Sequence, residues 1–192
     1  LCYEGGLRLG EALGLRWEDV RFGQDEADTG RSVLVRGSRE GNRIGPTKTG
    51  TERRVALSRR GRAHLLARYL EAGRPAAGPI IRQVWAKNVH ARLDRATKAA
   101  KVGRVRPKDL RDTYASTLIT HGIVAKWVSL QLGHASLSVT ERHYARYMAV
   151  DGYQNPWPVP EGCLPPDLFA ELDGWNPARV TTASTGVTKA RK

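Results

Sequence analysis

The apolar residues of this 192-residue chain repeat at helical or strand spacing only up to about residue 148. In the segment that follows, prolines at positions 156, 158, 160, 165 and 166 break this spacing. Within it, residues 167–172 keep the spacing of one short helix, and residues 181–192 are polar and predict disorder. We therefore expect a folded domain over residues 1–149 and a C-terminal extension over residues 150–192.

Helical spacing predominates in the first 149 residues. The predicted helices cover residues 7–15, 58–73, 83–101, 107–120, 124–132 and 136–148. The β-branched run at 32–36 predicts a strand, and runs at 43–49 and 52–57 predict a hairpin around Thr49-Gly50-Thr51. This order of elements predicts an α+β fold that is mainly helical, with a small antiparallel sheet near its start.

The positive charge of the chain lies in the predicted folded part. Residues 1–148 hold 28 Lys and Arg against 14 Asp and Glu, whereas residues 149–192 hold 4 against 5. The excess is densest over residues 36–106, with 19 basic residues and 4 acidic ones. A basic excess confined to the folded part favours a polyanionic partner, most simply nucleic acid. An arginine-rich protein from a GC-rich genome would show the same count without such a partner.

Several classes of protein are disfavoured by what the sequence lacks. It has no apolar run long enough to span a membrane, no phosphate-binding loop of the G-x-x-x-x-G-K-[ST] type and no metal-ligand cluster. Its two cysteines, Cys2 and Cys163, lie far apart, which disfavours a disulfide framework or a zinc ribbon. No signal or transit segment opens the chain, which favours a cytoplasmic, nucleoid-associated protein. Because the chain begins with Leu1 and its single methionine is Met148, we expect a piece of a longer protein.

Two pairs of residues stand three positions apart and so share a helix face. Arg8 and Glu11 form either a surface ion pair worth less than about 1 kcal/mol or an anion-binding arginine supported by a carboxylate. Lys108 and Arg111 place two cations side by side, which is unfavourable unless an anion lies between them. A solvated helix face is the simpler interpretation of the second pair.

Further candidates are a histidine, a lysine and two tyrosines. His134 follows a glycine and precedes a helix, where it could bind an anion or transfer a proton, although a lone histidine is more often structural. Lys48, on the predicted hairpin, is either an exposed side chain or a proton donor to a leaving oxygen. Tyr144 and Tyr147 are either packing residues or nucleophiles whose phenolate is stabilised by nearby cations.

The order and spacing of these residues resemble those of the tyrosine recombinases, or phage integrase family. The resemblance spans residues 5–148 and rests on GLRLGEALGLRWEDV (6–20), PTKTGTERRVALS (46–58), PKDLRDTYASTL (107–118) and LGHASLSVTERHYAR (132–146). It implies a mainly helical α+β catalytic domain with a three-stranded sheet, here shortened at its N-terminus. Residues 167–175 then form either an element that docks on a neighbouring protomer or an unrelated extension.

The resemblance also implies roles for the basic candidates and their partner. Arg8 and Arg111 are similar to the two arginines that clamp the scissile phosphate, and Glu11 to the acidic partner of the first. Lys48 is similar to the lysine that acts as general acid for the departing 5′-hydroxyl. Lys108 occupies the position usually held by histidine, which changes the protons available because a lysine rarely accepts one near neutral pH.

The remaining roles concern the histidine and the nucleophile. His134 is similar to the family's histidine or tryptophan position, and Tyr144 to its nucleophile. Tyr144 lies ten residues after His134, one more than the commonest spacing, so Tyr147 is kept as the alternative nucleophile.

The implied reaction is attack of the tyrosine on a phosphodiester. It forms a 3′-phosphotyrosyl link, frees a 5′-hydroxyl and conserves the bond energy, so rejoining needs neither ATP nor a metal and no cofactor is expected. Two guanidiniums would stabilise the added charge of the transition state, and the same positive field would assist a phenol whose ordinary pKa is about 10.

The implied partners are double-stranded DNA and three further copies of the chain, in integration or recombination of a mobile element. Two alternatives remain open, namely a catalytically silent DNA-binding fragment and a DNA-relaxing enzyme similar to type IB topoisomerases. RNA binding fits the charge, but no RNP-type aromatic motif supports it.

Overall fold

The computed structural model describes residues 1–24, 30–82 and 86–148. The expected C-terminal extension, with its predicted helix at 167–172, lies outside these ranges. The helices are α1 (Cys2–Gly5), α2 (Leu9–Gly14), α3 (Arg59–Glu71), α4 (Ala86–Ala99), α5 (Pro107–Thr120), α6 (Ala125–Leu132) and α7 (Leu137–Tyr144), with single 3-10 turns at Trp17–Asp19 and Ala145–Tyr147. The strands are β1 (Val20–Arg21), β2 (Ser32–Val35), β3 (Gly37–Glu40), β4 (Arg43–Pro46) and β5 (Arg53–Ala56).

The strands form two small antiparallel sheets. One has three strands in the order β1-β2-β5, and the other is the β3-β4 hairpin. A mainly helical α+β fold with a three-stranded sheet is therefore confirmed. The predicted hairpin between residues 43–49 and 52–57 is wrong, because β4 pairs with β3 while β5 pairs with β2.

Local turn geometry and burial explain this pairing. Gly41 and Asn42 connect β3 to β4, and Gly41 has a φ of 60°, which suits a two-residue hairpin turn. β5 pairs with β2 because Val33 and Val55 lie opposite each other and are fully buried. The turn at residues 47–50, which carries Lys48, connects the two sheets instead of closing a hairpin.

Two apolar clusters form the core. The first lies among α5, α6 and α7 and includes Tyr114, Leu118, Val128 and Leu132. The second packs the three-stranded sheet against α2 and α3, and its members include Leu7, Trp17, Val33, Val55 and Leu65. Among the helices of the described ranges, none combines the length and the apolar character that a membrane crossing needs.

The residues between α1 and α2 join the two clusters. Gly6 has a φ of 63°, and a Cβ placed on it would lie 2.5 Å from Tyr114 Cδ1 of the first cluster. Leu7, the next residue, is fully buried in the second cluster. Arg8 follows at once, so the packing of these two residues fixes the backbone position from which its side chain extends.

Alanine at Gly6 and at Gly50 provides a matched test of this packing. Both glycines have left-handed backbone, but nothing lies within 4 Å of a Cβ at Gly50. We expect Gly50→Ala to lower the free energy of unfolding by about 1 kcal/mol through backbone strain alone. Gly6→Ala should cost about 3 kcal/mol or more, because overpacking adds to the strain. Equal losses in urea-induced unfolding would contradict this account of the junction.

Candidate active site

A cavity of about 520 Å³ opens where the two clusters meet. Six of the sequence-predicted site residues line it, namely Arg8, Lys48, Lys108, Arg111, His134 and Tyr144. They come from five separate parts of the chain, and α5 supplies two of them. The other side chains on its wall are Leu9, His90, Pro107, Asp112, Val139 and His143.

Glu11 lies behind the cavity wall and joins three arginines. Its carboxylate, only 1% exposed, accepts hydrogen bonds from the Arg8 backbone N–H at 2.8 Å and the Arg8 Nη1 at 2.9 Å. Arg53 donates to both carboxylate oxygens, at 3.1 and 2.7 Å, and Arg111 Nη1 lies 3.9 Å from Oε2. Burial favours the neutral acid, but the hydrogen bonds and charge of Arg53 outweigh it and lower the pKa of Glu11. The group is therefore a carboxylate at neutral pH.

Arg111 is buried rather than solvated. It is 6% exposed and donates to the Gly6 carbonyl at 2.6 Å and to the Leu132 carbonyl at 2.8 Å. These bonds tie the guanidinium to the α1-α2 junction and to the end of α6. Burial, followed by the positive charge of Arg8, lowers the pKa of Arg111 to about 10, so it stays charged at neutral pH. The solvated-face interpretation is wrong for Arg111, whereas Lys108 is exposed at the cavity rim.

His134 reaches the cavity through a chain reversal. Gly133, with a φ of 67°, ends α6, and the His134 backbone N–H donates to the Ser129 carbonyl at 3.1 Å. Nδ1 of His134 lies 2.7 Å from Oγ1 of the buried Thr140, in a hydrogen bond. Burial, and then the charges of Arg111 and Arg8, lower the pKa of His134 to about 4. The imidazole is therefore neutral at pH 7.

Tyr144, the last residue of α7, is 5% exposed. Its hydroxyl donates to Asp112 Oδ1 at 3.0 Å, and Lys108 Nζ lies 3.2 Å from Asp112 Oδ2. Burial, and then the negative charge and hydrogen bond of Asp112, raise the pKa of Tyr144, so the group is a neutral phenol. Tyr147 is not among the side chains lining this cavity, and Arg146 stacks on its ring, 4.8 Å from the centroid.

Comparison with known proteins identifies the family. The sequence profile of the Phage integrase family matches residues 1–149. The chain belongs to the phage integrase family.

Individual relatives of this integrase-family chain are tyrosine recombinases. XerD of Mycobacterium tuberculosis (strain ATCC 25618 / H37Rv) is 32% identical over 155 residues, a match that covers 73% of this chain and 44% of XerD. XerC of Listeria monocytogenes serotype 4b (strain F2365) is 28% identical over 151 residues, covering 73% of this chain and 46% of XerC. The chain thus spans less than half the length of these two relatives.

Solved structures share the fold. The Tn1549 transposon integrase, in complex with transposon right end DNA, superposes with a TM-score of 0.63 at 17% identity, covering 74% of this chain and 51% of that one. XerH recombinase bound to palindromic difH substrate gives 0.58 at 20% identity, covering 76% of this chain and 40% of XerH. The fold of this integrase-family domain is therefore that of the solved integrases and recombinases.

Arg53 was not among the residues predicted from the sequence, although its position in β5 indicates that its side chain is buried. Arg53 is 10% exposed, its Nε donates to the Gln131 carbonyl at 2.8 Å, and it packs under Gly133. Its neighbour Arg54 is exposed. Because side chains alternate across a strand, Arg53 lies on the same side as the buried Val55, and that alternation could have separated the two arginines.

The arrangement of charges suits an anionic ligand. Four cationic side chains, the neutral imidazole of His134, two further histidines and the neutral phenol of Tyr144 share the cavity with one carboxylate, that of Asp112. Within the three described ranges, no group of three or more His, Cys, Asp or Glu side chains is placed to hold a metal ion. The wall can therefore bind an anion through guanidinium and ammonium groups and present it to the phenol.

Substitution of Arg53 tests the network beneath the cavity. Arg53→Ala removes both hydrogen bonds to Glu11 and the one to Gln131, so we expect the free energy of unfolding to fall by about 3 kcal/mol. Arg54→Ala is the matched control, since Arg54 is exposed and its hydrogen bond to Ser32 Oγ is long, at 3.3 Å, so its loss should cost about 0.5 kcal/mol or less. Similar losses for the two variants in chemical unfolding would exclude a buried role for Arg53.

The lowered pKa of His134 predicts a pH dependence of stability. An unfolded histidine has a pKa of about 6.5, above the value of about 4 in the folded chain. The unfolded state therefore binds more protons between these values, and the free energy of unfolding should fall as pH drops from 6.5 to 4. His134→Gln should flatten this part of the curve. An NMR titration that places the His134 pKa at 6.5 or above would contradict the prediction.

Proposed function

We propose that this chain is the catalytic part of a site-specific DNA recombinase or integrase that cleaves and rejoins DNA strands through a 3′-phosphotyrosyl intermediate. The observation that carries the proposal is the shared cavity of Tyr144 with Arg8 and Arg111, two arginines joined through Glu11. The tyrosine recombinases among the relatives support the same reaction.

The two arginines bind the scissile phosphate. Arg8 and Arg111 donate to its non-bridging oxygens and stabilise the charge that grows in the pentavalent transition state. Each such donor contributes about 3 kcal/mol in sites of this kind. Glu11 holds both guanidiniums in position before DNA arrives, so little reorganisation is needed during the reaction.

The other side chains of the cavity carry out the attack and the proton transfer. Tyr144 attacks phosphorus and becomes esterified to the 3′ end, while Lys48 protonates the departing 5′ oxygen. His134, neutral at pH 7, donates a hydrogen bond to the phosphate, and Lys108 adds positive charge at the rim. The phosphotyrosyl ester keeps the energy of the broken bond, so the reverse attack by a 5′-hydroxyl rejoins a strand without ATP.

The substrate is double-stranded DNA, held by four copies of the protein. The basic excess over residues 36–106 supplies further phosphate contacts. The solved Tn1549 integrase and XerH complexes contain DNA, which supports this partner, and the transposon origin of the first supports action on a mobile element. Such a protein acts in the cytoplasm, on nucleoid DNA.

Replacement of the nucleophile tests the proposal. The full-length protein is incubated with nicked suicide duplexes that tile the DNA flanking its gene, and covalent adducts are resolved on denaturing gels. We expect an adduct with the wild-type protein and a loss of more than about 1,000-fold with Tyr144→Phe, while DNA binding is retained. Tyr147→Phe is the matched control and should form adduct at the wild-type rate.

Other outcomes would assign the chain differently. An adduct that survives Tyr144→Phe but not Tyr147→Phe would move the nucleophile to Tyr147. DNA binding without any adduct would identify a silent DNA-binding protein. Relaxation of supercoiled plasmid without recombinant products would favour a topoisomerase-like enzyme.

A further inference from the structure

Asp112 lies between the phenol of Tyr144 and the amine of Lys108. Its Oδ1 accepts the hydrogen bond from the Tyr144 hydroxyl at 3.0 Å, and its Oδ2 lies 3.2 Å from Lys108 Nζ. The two oxygens therefore have different partners, and the ion pair with Lys108 orients Oδ1 toward the phenol. Sequence reasoning attached no role to this residue.

Attack by Tyr144 requires an acceptor for its proton, and few groups in the cavity qualify. The arginines and lysines on its wall are cations that can only donate. His134 is neutral, but its Nδ1 is bonded to Thr140, and its Nε2 is the atom assigned above to the phosphate. His90 and His143 also line the cavity, but the single hydrogen of the Tyr144 hydroxyl is donated to Asp112 and not to either of them. Among the described side chains that line the cavity, Asp112 is the only carboxylate, and it already accepts the phenolic hydrogen.

We propose that Asp112 is the general base for strand cleavage, an inference that rests on the proposed function. The Tyr144 oxygen forms a bond to phosphorus while the bond from phosphorus to the 5′ oxygen breaks. The phenolic proton moves to Asp112 Oδ1, and the 5′ oxygen takes a proton from Lys48. In rejoining, each transfer runs backward, and Asp112 returns the proton to the tyrosine oxygen as the phosphotyrosyl ester is displaced.

The difference in acidity between the two groups does not prevent this transfer. An ordinary phenol and an ordinary carboxyl group differ in pKa by about 6, so full transfer before attack is unfavourable. The proton becomes far more acidic as the tyrosine oxygen bonds to phosphorus and loses electron density. A weak base in hydrogen-bond contact is then sufficient, provided that it is in place when the bond forms.

The contact between Asp112 and Tyr144 would slow cleavage instead of assisting it if Asp112 were an inhibitory latch. A latch keeps Tyr144 protonated and turned away from DNA, so its removal would accelerate cleavage. A base accepts the proton during attack, so its removal would slow cleavage. The sign of the change in cleavage rate therefore distinguishes the two roles.

Asp112→Asn keeps the size of the side chain and an oxygen that accepts the Tyr144 hydrogen bond, but it cannot take the proton at neutral pH. In single-turnover cleavage of the suicide duplex, with protein in excess, we expect the rate to fall by about 100-fold or more. DNA affinity should be unchanged or tighter, because a negative charge leaves a basic cavity. Such a split between rate and binding is not expected from unfolding, which thermal melts check directly.

Asp112→Ala provides a second variant, since it removes the carboxylate and leaves space for a small one. Added formate should restore its cleavage rate by about tenfold and should not accelerate the wild-type protein. Asp109→Asn is the matched control, because Asp109 lies on the same helix and pairs with Arg106 at 2.9 Å, away from the cavity. It should cleave at the wild-type rate.

Three results would overturn the inference. Asp112→Asn could cleave as fast as the wild-type protein, or faster, as a latch requires. Formate could fail to restore Asp112→Ala in a protein that melts normally, which would leave Asp112 a structural role. Asp109→Asn could lose as much rate as Asp112→Asn. Failure of the proposed function is separate, because the wild-type protein would then form no adduct that depends on Tyr144 or Tyr147.

Discussion

The buried carboxylate of Glu11 is the interaction on which the site depends. It bonds Arg8 and Arg53 and lies 3.9 Å from Arg111, so one negative charge holds three guanidiniums close together. Without it, mutual repulsion and the loss of hydration would drive the arginines apart. With it, the cluster keeps a positive excess, which is the requirement of a site that binds a phosphodiester.

Backbone geometry places that cluster beside the nucleophile. Gly6 fits against Tyr114 where a side chain would collide, and Leu7 is buried in the neighbouring core, so Arg8 emerges at the junction of the two clusters. On the opposite side, Gly133 turns the chain over Arg53 and returns His134 to the cavity. The two core clusters therefore orient catalytic candidates that lie far apart in the sequence.

Different surroundings shift the pKa values of two groups in the cavity in opposite directions. His134, near Arg111 and Arg8, has a lowered pKa and stays neutral, while Tyr144, beside Asp112, has a raised pKa and stays protonated. The Lys108 Nζ, 3.2 Å from Asp112 Oδ2, orients the carboxylate that accepts the Tyr144 hydrogen bond. The Lys108-Asp112 pair is thus the arrangement that we propose to supply the acceptor.

The mainly helical fold followed from the sequence by itself, because helical periodicity is a local property of the chain. The six side chains that meet in the cavity were predicted through the resemblance of its motifs to those of the tyrosine recombinases. Only the tertiary structure decided the strand pairing. Local sequence allowed a hairpin turn either at Gly41-Asn42 or at Gly50, and the burial of Val33 opposite Val55 selected the first. The burial of Arg53 and the contact of Asp112 with Tyr144 were likewise decided there. Each joins residues more than 30 positions apart, and such contacts follow from how helices and strands pack rather than from any local pattern.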